Sequence, residues 1–276
     1  MTVAATVFAA PGAVTGYAAI AVAALMVGLW LLSIPLRDVS IVDPAWGPAF
    51  VLVALVAAVT ADGCLGRRWL LMGLTGIWGL RLGAYLLVRK LGDRAEDRRY
   101  AAMRERRGGS FVPWSLVVIF GLQGLLVLIV SLPIQVAAGQ GGGLGAAVIP
   151  GVVVFAIGLA FEAIGDEQLR RFKARADSHG QVMDRGLWRY TRHPNYFGDF
   201  CVWWGLWLVA LTAGGTWWTF IGPALMSTLL IRVSGKAILE RDMAQRRPQY
   251  ADYIERTSGF FPWPPKRTVR DNASER

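Results

Sequence analysis

Seven apolar stretches follow one another along the chain, separated by shorter segments rich in charge and glycine. They comprise residues 14–32, 44–60, 69–88, 113–137, 146–165, 198–213 and 216–232. About 20 apolar residues in a helix cross the roughly 30 Å of hydrocarbon in a bilayer, and most of the stretches approach that length. None shows the alternation typical of a membrane β-strand. The pattern therefore predicts an all-α, polytopic integral membrane protein with seven transmembrane helices, forming one membrane domain over residues 1–276.

Composition agrees with that class of protein. Hydrophobic residues make up 54% of the 276 residues, and charged residues only 17%. The formal net charge of +10 would also suit a protein that binds nucleic acid. In a membrane protein, however, basic loops set the topology, so no nucleic-acid partner is expected.

The basic residues are gathered in alternate connecting segments. If the N-terminus lies outside, the inward segments hold 26 of the 29 Lys and Arg residues. These segments are the one around Arg37 and residues 89–112, 166–197 and 232–276. Because positively charged loops stay on the cytoplasmic side, the distribution predicts an N-out, C-in topology. Residues 96–107 are expected to form a solvated or headgroup-facing helix, and the glycine run 139–145 an external turn.

Several polar residues lie in the cytoplasm-facing half of the predicted helices. They are Asp43, Arg81, Glu162, Asp166, Asn195, Asp199 and Arg232. A charged residue at the centre of a bilayer costs about 2.5–3.5 kcal/mol on insertion scales, so it needs partners or a wet cavity. Helix pairing would explain one such residue. A whole set on the same side predicts a shared cavity that is open to the cytoplasm.

Spacing refines this prediction at two helix ends. Glu162 and Asp166 are four residues apart and share a helix face, where two carboxylates repel unless they accept hydrogen bonds from a ligand. Asn195 and Asp199 share a face in the same way. Pro194 fits the first turn of their helix, whose N-terminus would offer unbonded amide donors. This polar rim on an apolar helix predicts a pocket that holds the polar head of a ligand.

Two arginine-rich runs have two interpretations, and several common catalytic and metal-binding motifs are absent from the sequence. The arginine-rich runs LRRFKAR (169–175) and QRRPQY (245–250) suit either topology or phosphate binding, since the guanidinium fork matches phosphate oxygens. No metal site is expected, because the chain has only two histidines and neither an HExxH nor a CxxC motif. Walker and GxSxG motifs are also absent from the sequence.

Five sequence motifs resemble a known family. They are RHPNYFGD (192–199), ERDMAQRRPQYADY (240–253), RTSGFFPWPP (256–265), DVSIVDPAWG (38–47) and GIWGLRLGAYL (76–86). Together they are similar to the membrane steroid 5α-reductase-like family, in its bacterial branch. The RHPNYxGD run also resembles the C-terminal region of sterol Δ14- and Δ7-reductases. The resemblance covers most of the chain and is strongest from residue 160 to residue 265.

The resemblance implies that NADPH is held by the C-terminal helices and cytosolic loops, residues 146–265. The matching cofactor-binding residues are Glu162, Asp166, Arg170, Lys173, Trp188, Arg192, His193, Asn195, Tyr196, Asp199, Arg232, Glu240, Arg247 and Tyr253. Among them, Asn195 and Asp199 would meet the nicotinamide-ribose end. The arginines at positions 170, 232 and 247, with Lys173, would reach the phosphates.

The substrate side, residues 14–137, departs from the family at two positions. Asp43 matches the family's substrate-polarising glutamate, and Arg81 is expected to pair with it. Trp78 aligns with the carbonyl-binding tyrosine, and Tyr85 is the only tyrosine nearby in the match. The implied reaction is the NADPH-dependent reduction of an activated C=C bond in a lipophilic enone, with Asp43, Arg81 and Trp78 as catalytic residues. A plain helix cap before Pro44 is the alternative role of Asp43.

Three other functions remain open from the sequence. RHPxYxG also occurs in isoprenylcysteine carboxyl methyltransferases, so an S-adenosylmethionine-dependent membrane methyltransferase is the first alternative. A non-enzymatic lipid-binding or scaffold protein is the second. A transporter is disfavoured, because no inverted repeat is visible. The expected partners are a lipophilic substrate and membrane lipids, with no obligate protein partner, and the expected location is the bacterial cytoplasmic membrane.

Overall fold

A computed structural model describes residues 11–92, 95–178, 180–233 and 249–266. Of these residues 81% are helical, and no β-strand occurs among them. The all-α prediction is therefore confirmed. The chain divides into two compact units. Unit 1 contains Met1–Ile149 and Leu206–Gly222, and unit 2 contains Pro150–Gly205 and Pro223–Arg276.

Unit 1 is built from three long helices followed by a series of shorter ones. The helices are α1 (Pro11–Leu36), α2 (Val42–Thr60), α3 (Leu65–Gly92), α4 (Arg98–Arg107), α5 (Phe111–Ser115), α6 (Leu122–Val130) and α7 (Leu132–Ala138). A π-helical segment, Leu116–Gly121, joins α5 to α6. The most extensive packing in this unit is between α2 and α3.

Unit 2 contains most of the polar motifs. Its helices are α8 (Ile149–Lys173), α9 (Pro194–Leu211), α10 (Ile221–Thr228) and α11 (Gln249–Arg256). The last turns of α9 and the first residues of α10 belong to unit 1. A second π-helical segment, Leu229–Val233, continues α10. Two 3₁₀ turns, Ala176–Ser178 and Gly186–Arg189, lie between α8 and α9.

Five helical runs in the described residues are long and apolar enough to cross a membrane. They are Gly12–Leu36, Val39–Thr60, Leu65–Gly92, Arg98–Val130 and Ala146–Lys173. The first five predicted stretches fall mainly in these runs. The last two stretches are helical, in α9 and in α10 with its flanking turns, and their crossing of the membrane remains a prediction.

The fourth predicted stretch, 113–137, is not one continuous α-helix. A π-helical segment interrupts it, and a second break occurs at Ser131, between α6 and α7. Pro133 cannot donate a backbone hydrogen bond, so a continuous ladder could not pass through this position. The Ser131 hydroxyl donates instead to the carbonyl of Val127 at 2.6 Å.

The glycine run at 139–145 is tied to the start of α3 by a buried arginine. Arg67 is 1% exposed, and its guanidinium donates to the carbonyls of Gln140, Gly141 and Gly143 at 3.0–3.4 Å. A glycine-rich turn has few side chains of its own to fix it. The arginine therefore supplies the ordering that the turn itself lacks.

Glycine contacts set the distance between neighbouring helices in each unit. In unit 2, a Cβ added to Gly158 of α8 would lie 2.5 Å from the carbonyl oxygen of Gly198 in α9. A Cβ at Gly205 would lie 2.5 Å from the amide of Phe155. In unit 1, a Cβ at Gly79 would meet the Gly47 carbonyl oxygen at 2.7 Å. Small residues thus allow the backbones to touch, as is common where membrane helices pack.

We expect Gly158→Ala to destabilise the protein by about 1–3 kcal/mol, because the added methyl group must push α8 away from α9. The measurement is the apparent melting temperature in detergent. Gly73→Ala in α3 is the matched control, since a Cβ there meets no atom within 4 Å. Equal melting temperatures for the two variants would contradict the close contact.

Candidate functional site

Asp38 organises the turn that precedes α2. Its carboxylate accepts hydrogen bonds from the amide of Ser40 at 2.9 Å and from the Ser40 hydroxyl at 2.5 Å. Lys90 lies 2.6 Å from its other oxygen. The 3₁₀ turn Val39–Ile41 that Asp38 caps runs directly into α2. Asp38 therefore caps the turn that leads into α2, whereas the N-cap position of α2 itself, Ile41, receives no side-chain hydrogen bond.

The segment before α4 is docked on this turn. Glu96 accepts a hydrogen bond from the amide of Val39 at 3.0 Å and forms an ion pair with Arg104 at 2.7 Å. The amide of Asp97 donates to the Ser40 hydroxyl at 3.4 Å. These contacts fix the start of α4 beside the start of α2, and they set the position of Tyr100.

Tyr100 is the partner of Asp43. Its hydroxyl donates to Asp43 Oδ1 at 3.0 Å, and the guanidinium of Arg99 lies 3.6 Å from Asp43 Oδ2. The Asp43 side chain is 25% exposed. A phenol held by a carboxylate in a partly buried position is a hydrogen-bond donor whose direction is fixed.

Sequence reasoning did not identify Tyr100, because it lies 57 residues from Asp43 and in a basic segment that suggested a solvated helix. The feature that could have indicated it is a tyrosine in a run of otherwise mostly charged and small residues. A half-buried phenol in such a run needs a partner.

The other two residues predicted to be catalytic lie in α3. Trp78 is fully buried and packs against Phe50, with ring centroids 5.7 Å apart. The Arg81 guanidinium lies over the ring of Tyr85, 6.0 Å from its centroid. Trp78 therefore contributes to the α2–α3 core. It aligns with the family's carbonyl-binding tyrosine, but it has no hydroxyl at that position.

A buried acidic cluster lies where α8 meets the start of α9. Glu162 is 3% exposed and Asp166 is 5% exposed. The side-chain amide of Asn195 donates to Asp166 Oδ1 at 3.3 Å. A Cβ added to Gly198 would lie 2.5 Å from the amide nitrogen of Glu162, so both helix backbones approach closely at this level. Asp199, one turn after Asn195, follows in the same helix.

The residues before α9 form a compact support for that cluster. The ring of His193 is buried and stacks on Tyr196, with centroids 5.2 Å apart and planes 4° apart. The indole nitrogen of Trp188 donates to the carbonyl of Gly165 at 3.0 Å. Pro194 begins α9, where its lack of an amide proton costs no helical hydrogen bond.

The RHPNYFGD motif at the start of α9 also binds the end of α11 and the residue that follows it. Arg192 is 7% exposed, and its guanidinium donates to the carbonyls of Ile254 at 2.9 Å and Thr257 at 2.5 Å. The Tyr253 hydroxyl donates to the carbonyl of Trp188 at 2.5 Å. Burial raises the pKa of Tyr253, so this hydroxyl stays protonated. In these contacts, Arg192 and Tyr253 brace the chain before α9.

Further side-chain and backbone hydrogen bonds join the residues before α9 to the segment that follows α11. The Thr191 hydroxyl donates to the carbonyl of Phe260 at 2.8 Å, and the amide of Trp263 donates to the carbonyl of Tyr190 at 2.9 Å. Two motifs far apart in sequence, RHPNYFGD and RTSGFFPWPP, are therefore parts of one structural element.

The cations predicted to meet phosphates are on the surface or outside the described residues. Arg170 is exposed and forms an ion pair with Glu167 at 2.6 Å, and Lys173 is exposed at the end of α8. Arg232 is exposed in the second π-helical segment. Glu240, Arg247 and His179 lie outside the described residues.

Comparison with known proteins assigns the chain to a family. Residues 29–257 match the family described as "Protein of unknown function (DUF1295)", and because the match covers most of the chain, the chain belongs to that family. The family lies in the steroid 5α-reductase-like group, which confirms the broad resemblance. The closer relation to sterol reductases remains a prediction.

One relative and the solved structures complete the comparison. An uncharacterized protein of Schizosaccharomyces pombe is 24% identical over 260 residues, covering 85% of this chain and 75% of the yeast protein. No solved structure matches the chain.

The Asp38–Lys90 pair makes stability depend on pH. Burial raises the pKa of Asp38, but hydrogen bonds from Lys90 and Ser40 outweigh it and hold the pKa below the ordinary 3.8. A carboxyl whose pKa is lowered by folding stabilises the protein above its unfolded pKa, and this contribution is lost as pH falls through the folded pKa.

We therefore expect Asp38→Asn to lower the apparent melting temperature at pH 7 by about 2–6 °C, since charged hydrogen bonds contribute about 1–3 kcal/mol. The difference from the wild type should shrink as the pH falls below about 4. Asp62→Asn, on an exposed loop, is the control. A difference that stays constant from pH 8 to pH 3 would rule out an ionised Asp38 as the cause.

Proposed function

We propose that this protein is an NADPH-dependent membrane reductase that saturates an activated C=C bond in a lipophilic enone of steroid-like or isoprenoid character. The observation that carries the proposal is the hydrogen bond from Tyr100 to Asp43. Membership of the steroid 5α-reductase-like group supports it independently.

Reduction of an enone requires a donor at the carbonyl. When the β-carbon gains a hydride, the electron pair of the C=C bond moves toward the carbonyl oxygen, and negative charge develops there. An O–H donor aimed at that oxygen stabilises the charge. Tyr100 provides a hydroxyl that neither Trp78 nor Arg81 has. Its single proton is donated to Asp43 in the structure. In the proposed reaction Asp43 is protonated and donates to the phenol oxygen, so the phenol proton is left to bond the substrate carbonyl. The α-carbon then gains a proton from water or from a protonated side chain.

The side chains of the buried cluster in unit 2 are of the types that bind the polar groups of a dinucleotide. NADPH, when bound, supplies the hydride. Carboxylates such as Glu162 and Asp166 accept hydrogen bonds from hydroxyl and amide donors, which the ribose and nicotinamide carry. Asn195, beside the N-terminus of α9, offers an acceptor and donors in the same place. Exposed Arg170 and Lys173 at the end of α8 suit the phosphates.

The proposed setting is a bacterial cytoplasmic membrane, crossed by seven helices with the N-terminus outside. Support for this topology comes from the distribution of Lys and Arg, since 26 of the 29 then lie on the inner side. The topology puts the start of α9 and the connection between α3 and α4 on the cytoplasmic side, where NADPH is available.

Methyl transfer from S-adenosylmethionine is the second candidate, because RHPxYxG is common to both classes. It requires no acid at a carbonyl, so it leaves the Tyr100–Asp43 pair without a role.

We expect NADPH to raise the melting temperature of the purified protein, whereas S-adenosylmethionine should leave it unchanged. The physical reason is that a ligand that binds only the folded state stabilises it by RT ln(1 + [L]/Kd). Asn195→Ala should abolish the shift, and Gln123→Ala in α6 should preserve it. A rise in melting temperature with S-adenosylmethionine but not with NADPH would contradict the reductase proposal and favour a methyltransferase.

We expect Tyr100→Phe to lower the turnover of lipophilic enones by about 10²–10³, the cost of removing one oxyanion donor. The readout is oxidation of NADPH in detergent or nanodiscs with a panel of steroid-like and isoprenoid enones. Stabilisation by NADPH should be unchanged, because the phenol does not belong to the cofactor cluster. Tyr85→Phe is the matched control. Full turnover in Tyr100→Phe would remove this residue from the mechanism.

A further inference from the structure

A long apolar groove lies on the surface of unit 1, apart from the polar clusters described above. It has a volume of about 720 Å³ and runs between residues 23–27 of α1 and residues 116–125. Its exposed lining is aliphatic, with Val117 69% and Leu125 53% exposed. Such a groove in a membrane helix pair suits a hydrocarbon chain.

The shape of the groove follows from the π-helical segment and two glycines. At Gly124, an added Cβ would touch Val22 and Met26 of α1 at 3.3 Å, so the helices are in contact there. At Gly121, an added Cβ would approach only the carbonyl oxygen of Leu116, within its own segment, at 3.2 Å. The wider π-helical turn at Leu116–Gly121 thus ends in a glycine that leaves the groove open.

Beyond one end of the groove, after Val27 in α1 and before Leu116 on the other wall, the chain carries polar and basic residues. The indole of Trp30 in α1 donates to the carbonyl of Val112 at 3.1 Å and links the two walls. Beyond this bond, the Arg107 guanidinium lies over the ring of Trp114, 4.6 Å from its centroid. Arg106 is exposed beside it and forms no ion pair within the part of the chain that the structure describes. Tryptophan and arginine together are typical of the headgroup level of a bilayer.

The length of the groove also fits a lipid. Residues 116–125 span about 13 Å at about 1.5 Å per residue. One leaflet of a bilayer contributes half of about 30 Å of hydrocarbon. The α1 wall, residues 23–27, is shorter, about 6 Å at the same rise per residue. A single acyl chain therefore fits along the longer wall, with part of its length enclosed by α1.

We propose that this groove is a binding site for one anionic phospholipid, with an acyl chain lying along residues 116–125 and its phosphate bound by Arg106 and Arg107. The site is independent of the reductase function. Charge complementarity selects an anionic headgroup, and the aliphatic walls select a chain rather than a free phosphate ion.

Native mass spectrometry of the detergent-solubilised chain, titrated with phosphatidylglycerol or phosphatidylcholine of the same acyl chains, tests the proposal. The wild type should retain phosphatidylglycerol preferentially. The double variant Arg106→Gln/Arg107→Gln should lose about tenfold in this preference, since each arginine near a lipid surface contributes several-fold. Arg98→Gln, the same change at the far end of α4, is the matched control.

A second variant tests the groove itself. Gly121→Leu should weaken retention of both lipids, because its side chain fills the space for the acyl chain. Equal retention of the two lipids by the wild type, or an unchanged preference in the double arginine variant, would overturn the proposal. Displacement of the lipid by millimolar inorganic phosphate alone would also overturn it, since the ligand would then be a phosphate ion.

Discussion

Hydrocarbon offers no hydrogen-bond partner, so the polar groups among the apolar helices of this chain have to be satisfied by other parts of the chain or by a ligand. At the helix ends and in the connecting segments, polar groups are likewise satisfied within the chain. Arg67 binds the carbonyls of the glycine run, Asp38 binds Ser40 and Lys90, and Arg192 binds the carbonyls after α11. Each of these contacts holds a loop that has no apolar core of its own.

The same requirement explains how the two candidate clusters are positioned. Asp43 and Tyr100 meet because the turn capped by Asp38 and the segment carrying Glu96 are bonded to each other. Asn195 reaches Asp166 because glycines let α8 and α9 touch along their length. The side chains of both candidate clusters therefore depend on neighbours outside the clusters. A change in one of those glycines or in the capping residue Asp38 would shift the positions of the cluster side chains.

Helices and their approximate limits could be predicted from the sequence, because about 20 apolar residues in a row have only one stable state in a bilayer. The position of Pro194 at the start of α9 also followed from local rules. Pairs between distant segments could not be predicted. Nothing near Asp43 in sequence indicates Tyr100, and nothing near Arg192 indicates the carbonyls of Ile254 and Thr257. Such contacts depend on how helices pack, which a single sequence does not encode in any local pattern.

The contrast between Trp78 and Tyr100 shows that a family resemblance can align a position without identifying the side chain that bonds to Asp43. Alignment along α3 assigns the place of the carbonyl-binding residue to Trp78, yet the indole is fully buried against Phe50. The phenol on Asp43 comes instead from α4, which follows α3 in the chain. The proposed reduction requires a hydroxyl near a carboxylate, and it does not require that both come from fixed positions in the sequence. A donor carried by α4 also depends on the ion pairs that dock that helix, so the strength of Glu96–Arg104 and Asp38–Lys90 bears directly on how firmly the hydroxyl is aimed.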